Sequence, residues 1–376
     1  MKPKSYIEQY DHYIPLIYLV LMIIGLYMQL NISAIRTKMD FFYRQSIWFG
    51  LSFFLIWFAF KVINLKKIRK YSILFVIITI ILLAAVLIVG RDVKGAVRSI
   101  RIWKINIQPS LLARLVLILY FAHILDKHKR VLGKTTPKFF LKKFSALIII
   151  PAIIFVLILV ERHFSTLIIS GFTLLSILFL AKIRMSTLLS ILGIMLIIGI
   201  MIISFGPKYR SQRIKIFKKY SLFYKDAKEN NIEVTNDYQI KESLISLSAG
   251  KFFGTHQEAT GKHYFLPEAK TDYIYAIIGE EFGFLGTLVI LSLYCFLFFR
   301  AMKSSFIQED FFLKLFGFGL SMNIFYNAIV NIGVAMAALP STGVTLPFIS
   351  YGGTSLLVNS FSIGLLMNIS AKRRIL

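Results

Sequence analysis

Long apolar runs alternate with short polar connections along the whole chain. The apolar stretches fall near 13–32, 45–64, 72–90, 108–126, 144–161, 165–182, 187–205, 272–299, 312–338 and 350–370. A helix needs roughly 20 apolar residues to cross the hydrocarbon of a bilayer, so the pattern predicts an all-α, polytopic membrane protein with about ten transmembrane helices. Glu161, Arg162 and His163 interrupt the 144–182 region, where a tight re-entry costs less than burying three polar residues in lipid. The first run follows Lys2, Lys4, Glu8 and Asp11, is longer than the apolar core of a signal peptide and lacks a small-residue cleavage site. It reads as a retained anchor. No internal repeat or low-complexity tract is evident, and residues 1–376 form a single integral membrane domain.

Composition agrees with the pattern. The 376 residues are 57% hydrophobic and 16% charged, against about 45–50% and 25% in soluble domains. The one cysteine, Cys295, lies inside an apolar run, which excludes a disulfide-stapled secreted domain. A net charge of +26 would suit nucleic acid, but the basic residues stand in short clusters between apolar runs. There they orient a membrane protein and meet anionic membrane lipids, and no nucleic-acid partner is expected.

One set of connections holds Lys66, Lys67, Arg69 and Lys70, then Lys127, Lys129, Arg130, Lys134, Lys138, Lys142 and Lys143, then Lys182 and Arg184, and finally Lys372, Arg373 and Arg374. The bias of basic loops toward the cytoplasm places this set and both termini inside. Arg91, Lys94, Arg98, Arg101 and Lys104 share a loop on the other side. Cations kept there against the insertion bias suit a phosphate-bearing ligand, and equally suit anionic lipid. The one long connection, 206–271, also falls outside. Long ordered loops on a rigid scaffold tend to carry function. Its first part, Tyr209 to Tyr220, sets Ile214 and Phe217 apart from Arg210, Arg213, Lys215, Lys218 and Lys219 and reads as a basic interfacial helix. A polar stretch, Lys225 to Asp237, precedes a second amphipathic segment from Ile240 to Leu247.

Three polar motifs stand where outer loops enter helices. They are Gly95-Ala-Val-Arg98 with Gln108-Pro109-Ser110, then Leu266-Pro-Glu268-Ala-Lys-Thr271-Asp272-Tyr-Ile-Tyr-Ala276 running into Gly279-Glu280-Glu281-Phe-Gly283, and Leu346-Pro-Phe-Ile-Ser350-Tyr-Gly352-Gly353-Thr-Ser355. The three helices they open would aim free N–H groups and positive dipole ends outward, a receptacle for an anion such as a diphosphate. Each motif has a plain structural reading as well. Pro109 is an ordinary first-turn proline, Thr271 an ordinary N-cap, and Gly352-Gly353 permits close packing.

These motifs, in this order, resemble the SEDS family (shape, elongation, division and sporulation; the FtsW, RodA and SpoVE group), most specifically in Leu266 to Asp272, Ile277 to Gly283, Leu346 to Gly353 and Gln108-Pro109-Ser110. The resemblance implies a ten-helix inner-membrane peptidoglycan glycosyltransferase. Such an enzyme polymerises lipid II, the undecaprenyl-diphosphate-linked disaccharide-pentapeptide, during division or elongation. The partner it implies is a class B penicillin-binding protein, a single-span transpeptidase. The chain departs from the family at Ser99, where tryptophan is common, at Leu111, where an acid is common, and at Arg114, where lysine is. It also reads Arg162-His163-Phe164-Ser165-Thr166 where Pro-Asp-x-Gly-Thr is usual.

Glycan polymerisation needs a base to activate a sugar hydroxyl and cations to stabilise a departing diphosphate. Asp272 is the candidate base, fixed by a rigid helix in whose first turn it would sit; an acid there also simply stabilises a helix. Substrate-binding candidates are Arg98, Gln108, Pro109, Ser110, Arg210, Arg213, Lys262, Glu268, Thr271, Glu280, Ser350, Gly352 and Gly353. Of the two intramembrane acids, Glu280 would lie about 80° around the helix from Asp272 and Glu281 opposite, so only Glu280 could assist. No metal-ligand cluster or organic cofactor is expected, while a divalent cation on the diphosphate stays open. The competing classes are a flippase for the same lipid-linked precursor and a non-catalytic scaffold for cell-wall enzymes. A cysteine placed at Asn230 tests the orientation: impermeant reagent should label it in intact cells, and labelling only after permeabilisation would invert the topology.

Overall fold

The computed structural model describes residues 5–35, 39–93, 96–102, 105–204, 206, 208–221, 237–255, 266 and 268–375. Each predicted apolar run carries a helix. In chain order the helices are α1 (Tyr13–Ile35), α2 (Asp40–Trp57), the short α3 (Leu65–Lys70), α4 (Ser72–Val89), α5 (Pro109–Lys127), the short α6 (Pro137–Lys143) and α7 (Ala146–Val160). They continue as α8 (Phe164–Leu180), α9 (Met185–Ser204), α10 (Lys208–Tyr220), α11 (Tyr238–Ala249), α12 (Ile274–Phe306), α13 (Phe311–Ala335) and α14 (Gly353–Ser370). Strands are few among the described residues: β1 (Ser5–Gln9) pairs antiparallel with β5 (Lys372–Ile375), and β2 (Arg91–Val93), β3 (Ala96–Ile102) and β4 (Ile105–Ile107) form a small antiparallel sheet.

The outer helices could not face water. Ile88 on α4 is 84% exposed and Leu189 on α9 is 65% exposed, and apolar surface on this scale belongs against lipid. The chain is therefore a multi-pass membrane protein. Among the described residues seven helices can cross a bilayer by length and apolarity, or eight if the α6–α7 pair, bent by 78°, is one span. The expected ten exceeds this count by α8 and α14. Buried inside the bundle, α8 carries Ser165, Thr166, Ser170 and Thr173, and α14 carries Asn359 and Asn368, residues that lipid would disfavour but protein neighbours accept. At the centre, α13 packs on α5, α8, α12 and α14.

Two helices occupy the described parts of the 206–271 connection. Helix α10 buries Ile216 and leaves Ile214 and Phe217 half-buried, its inner side resting on α9. The second segment, α11, packs along α12, and Ser243 Oγ donates to the Ala335 carbonyl at 2.8 Å. The Lys219 ammonium (2.9 Å) and the Tyr220 hydroxyl (2.7 Å) both donate to Asp237, tying the end of α10 to the start of α11. Those two donors hold the Asp237 carboxyl below its ordinary value, so this tie is intact above the ordinary carboxylate range and is lost as pH falls through the lowered value.

Helix α12 is broken at Gly283, whose φ of 64° and ψ of −163° lie outside any helix. The turn at 251–255 inserts beside the break. The N–H groups of Phe284 and Leu285 donate to the carbonyls of Lys251 and Phe252, and Thr255 donates to the Glu280 carbonyl through both its N–H and its hydroxyl. A Cβ at Gly283 would lie 2.3 Å from Gly254 N and 2.6 Å from Phe252 C. Gly283→Ala should therefore cost on the order of 2 kcal/mol or more. Gly199→Ala on α9, where nothing lies within 4 Å, should be neutral or stabilising by up to about 1 kcal/mol. Thermal unfolding in detergent separates the two.

Candidate functional site

The three polar motifs converge at one end of the bundle. Asp272 does not lie in the first turn of a helix. It occupies a separate turn, Glu268–Tyr273, and α12 begins at Ile274. Glu268 has φ 56°, and its carbonyl receives the N–H groups of Thr271 (3.0 Å), Asp272 (3.1 Å) and Tyr273 (3.4 Å) in a turn of its own. Asp272 and Glu280 therefore do not lie on one continuous helix. The turn is braced from inside: Thr271 Oγ1 donates to Glu268 Oε2 (3.0 Å), Ser350 Oγ to the Thr271 carbonyl (2.5 Å), and both Tyr351 N–H (2.8 Å) and Gln29 Nε2 (3.2 Å) to the Lys270 carbonyl. The Lys270 ammonium stands 3.3 Å from the centre of the Phe41 ring.

Facing this turn is an extended strap, Ser341–Thr345, with Gly343 at φ 73°. A Cβ built at Gly343 would sit 3.5 Å from Asp272 Oδ2 and 4.0 Å from Arg98 Nη1. The acid and the arginine of β3 thus meet against one glycine. Arg213 of α10 donates to the Ser341 carbonyl at 3.1 Å. Burial pushes the Tyr273 hydroxyl up, the Asp272 carboxylate adds to the rise and Arg213 opposes it, which sets all three in one electrostatic neighbourhood.

Behind this wall lies a buried polar cluster. His163 Nδ1 lies 3.0 Å from Gln108 Nε2, 3.0 Å from Ser110 Oγ and 2.9 Å from Thr166 Oγ1, and Ser165 Oγ donates to the Thr342 carbonyl at 2.5 Å. Pro109 and Ser110 are buried, and Ser110 spends its hydroxyl on His163; both support the site from inside. Arg114, also buried, donates to Asn327 at 2.7 Å. Ser350 is a brace between loops and is 3% exposed. Gly352 begins α14, and a Cβ at Gly353 would overlap the Trp48 ring. Glu280 is buried within α12, while Glu281 accepts from Asn31 at 2.7 Å. Arg210 has its backbone on α10, but its side chain lies outside the described residues, as does Lys262. Helices α5, α12 and α14 all start without a side-chain cap; the first turns of α5 and α12 are buried, while Gly353, Thr354 and Ser355 at the start of α14 are half-buried.

The profile of the cell-cycle proteins FtsW, RodA and SpoVE matches residues 11–375. The chain belongs to the FtsW/RodA/SpoVE family. A relative in Wigglesworthia glossinidia brevipalpis, named probable peptidoglycan glycosyltransferase FtsW, is 34% identical, with 97% of this chain and 94% of the relative covered. One of the same name in Geobacter sp. (strain M18) is 30% identical, with 98% of each covered. Among solved structures, a peptidoglycan synthase complex described for its coordination of polymerization and crosslinking contains a chain of the same fold. Its TM-score is 0.76 at 21% identity, covering 96% of this chain and 98% of that one. The crystal structure of Thermus thermophilus RodA gives a TM-score of 0.69 at 20% identity over 96% and 97%. The strap, Arg114 and Asn327 were not among the site residues that the motif reading selected. Gly343 lies in Pro340-Ser-Thr-Gly343, a run of turn-forming residues, and Asn327 and Asn331 are polar residues inside an apolar helix; those were the signals available.

Proposed function

We propose that this chain is a peptidoglycan glycosyltransferase that polymerises lipid II at the outer face of the cytoplasmic membrane. The observation that carries this reading is the meeting of Asp272 and Arg98 against Gly343, with Arg213 anchored on the neighbouring Ser341. The names of the full-length relatives support the reaction class. An acid flanked by cations suits both halves of the chemistry. Asp272 takes the proton of the acceptor hydroxyl as that oxygen attacks the anomeric carbon of the donor. Arg98, with the uncapped start of α14, receives the charge that develops on the departing lipid diphosphate. Glu268 and Thr271 hold the turn, and Arg213 lines the same end. The activated donor supplies the energy. The basic loops set the orientation, with both ends of the chain cytoplasmic, and a class B penicillin-binding protein would crosslink the product.

Conversion of purified lipid II to glycan by the detergent-purified chain, with its transpeptidase partner, tests this reading. Asp272→Asn keeps shape and cannot take the proton, so polymer formation should fall by about 10²-fold or more, whereas a purely structural role would leave the rate near parental at a stability change of about 1 kcal/mol. Near-parental synthesis by a correctly inserted Asp272→Asn protein would exclude Asp272 as the base. Arg98→Glu should raise the KM for lipid II by about tenfold or more without reducing membrane insertion, because a charge-assisted contact to the ligand is lost. Transfer of lipid II across vesicles without any polymer would instead identify a flippase.

A further inference from the structure

The Asp272 carboxylate is only as well placed as its turn, and beside the braces at Lys270 and Thr271 one amide bonds the backbone of Asp272 itself. Asn331, in the last turns of α13, is 1% exposed. Its Nδ2 donates to the Asp272 carbonyl at 2.9 Å and to the Val344 carbonyl at 2.6 Å. Both partners are acceptors, so only the amino group can face them, and both of its hydrogens are spent. The amide oxygen is buried with no hydrogen-bond partner. The two carbonyls belong to opposite walls of the site: Asp272 to the turn, and Val344 to the strap beside Gly343. The rest of the strap is fixed in the same manner. The carbonyls of Ser341, Thr342 and Val344 are each taken by a side chain from a different helix, Arg213 of α10, Ser165 of α8 and Asn331 of α13. Asn331 alone among these donors also grips the turn that carries the acid.

We propose that Asn331 is a positioning residue for the reaction at Asp272: one amide draws the two walls together and sets the carboxylate against the strap and Arg98. The inference rests on the glycosyltransferase reading above. Without this amide two buried carbonyls lose their donor and the walls separate. A displacement of about 1 Å at a reacting group can cost on the order of 10²-fold in rate, while the cations that hold the diphosphate stay in place. The signature is therefore a loss in kcat with little change in KM.

The test uses the full chain with its partner, as Asn331→Ala and Asn331→Asp; the latter keeps the size of the side chain but presents oxygen to two carbonyls. Asn323→Ala is the matched control, a buried amide on the same helix that is 3% exposed and makes no contact with either wall among those described. Both Asn331 variants should lose about tenfold or more in kcat with KM for lipid II within about twofold, and Asn323→Ala should keep both within about twofold. Amide hydrogen exchange should quicken at 268–273 and 341–345 in the Asn331 variants and not in the control. Should Asn331→Ala fail to insert, Asn331→Ser keeps one donor and should fall between it and the parent in both readouts. Parental kcat in an Asn331 variant, a loss confined to KM, an equal loss in Asn323→Ala, or unchanged exchange at both walls would each overturn the proposal. A parental protein that makes no glycan would sink the glycosyltransferase reading instead, and exchange at the two walls would still decide the clamp.

Discussion

Hydrocarbon offers a peptide group no hydrogen-bond partner, so every backbone group that leaves a helix inside the bundle must find one in the protein. The irregular segments of this fold each meet that demand in a specific way. The break at Gly283 exposes two N–H groups and a carbonyl, and the 251–255 turn satisfies all three. At the far end of α2 a π turn, Phe58–Val62, leaves carbonyls at Ala59 and Ile63, and Asn368 Nδ2 donates to both at 2.8 Å. The turn before α12 is served by Ser350, Gln29 and the backbone of Tyr351. Polar side chains inside the bundle are thus placed by the backbone they serve.

The same demand explains why the candidate site lies where it does. Charged groups cannot be offered to a phosphate-bearing ligand from the middle of a lipid-facing helix, but a non-helical wall buried in protein can carry them. Here two such walls, the Glu268–Tyr273 turn and the Ser341–Thr345 strap, face each other, and α5, α12 and α14 open at the same end. The walls are held by bonds from α1, α8, α10 and α13. Their geometry is consequently a property of the whole bundle, as a site that must hold reacting groups within a fraction of an ångström requires.

What was legible in the sequence follows from the range of the interactions involved. Hydrophobic periodicity is local, so the ten long apolar helices from Tyr13–Ile35 to Gly353–Ser370 could be placed from their own residues, whereas the short α3 and α6 could not. The tight turn at Glu161–His163 followed from three adjacent polar side chains, and Asp272 and Arg98 stood out as charges at the mouths of apolar runs. Long-range bonds were not legible. That Asp272 sits in a turn before α12 depends on the positive φ of Glu268 and on Ser350, which bonds Thr271 from 79 residues away. The burial of α8 and α14 depends on neighbours that no single segment reveals. Gly343 and Asn331 looked like a loop glycine and a stray amide, and acquire meaning only where two distant segments meet.

The pairing of β1 with β5 constrains how such a protein can change over evolutionary time. These strands precede the first helix and follow the last, and they can form a ladder only when both emerge on the same face of the membrane. Gain or loss of a single crossing would leave them separated by a hydrocarbon layer of roughly 30 Å. The ladder therefore acts as a parity check: helical hairpins can be added or removed as units, but an odd change in the number of crossings would cost the strand pairing as well as the packing.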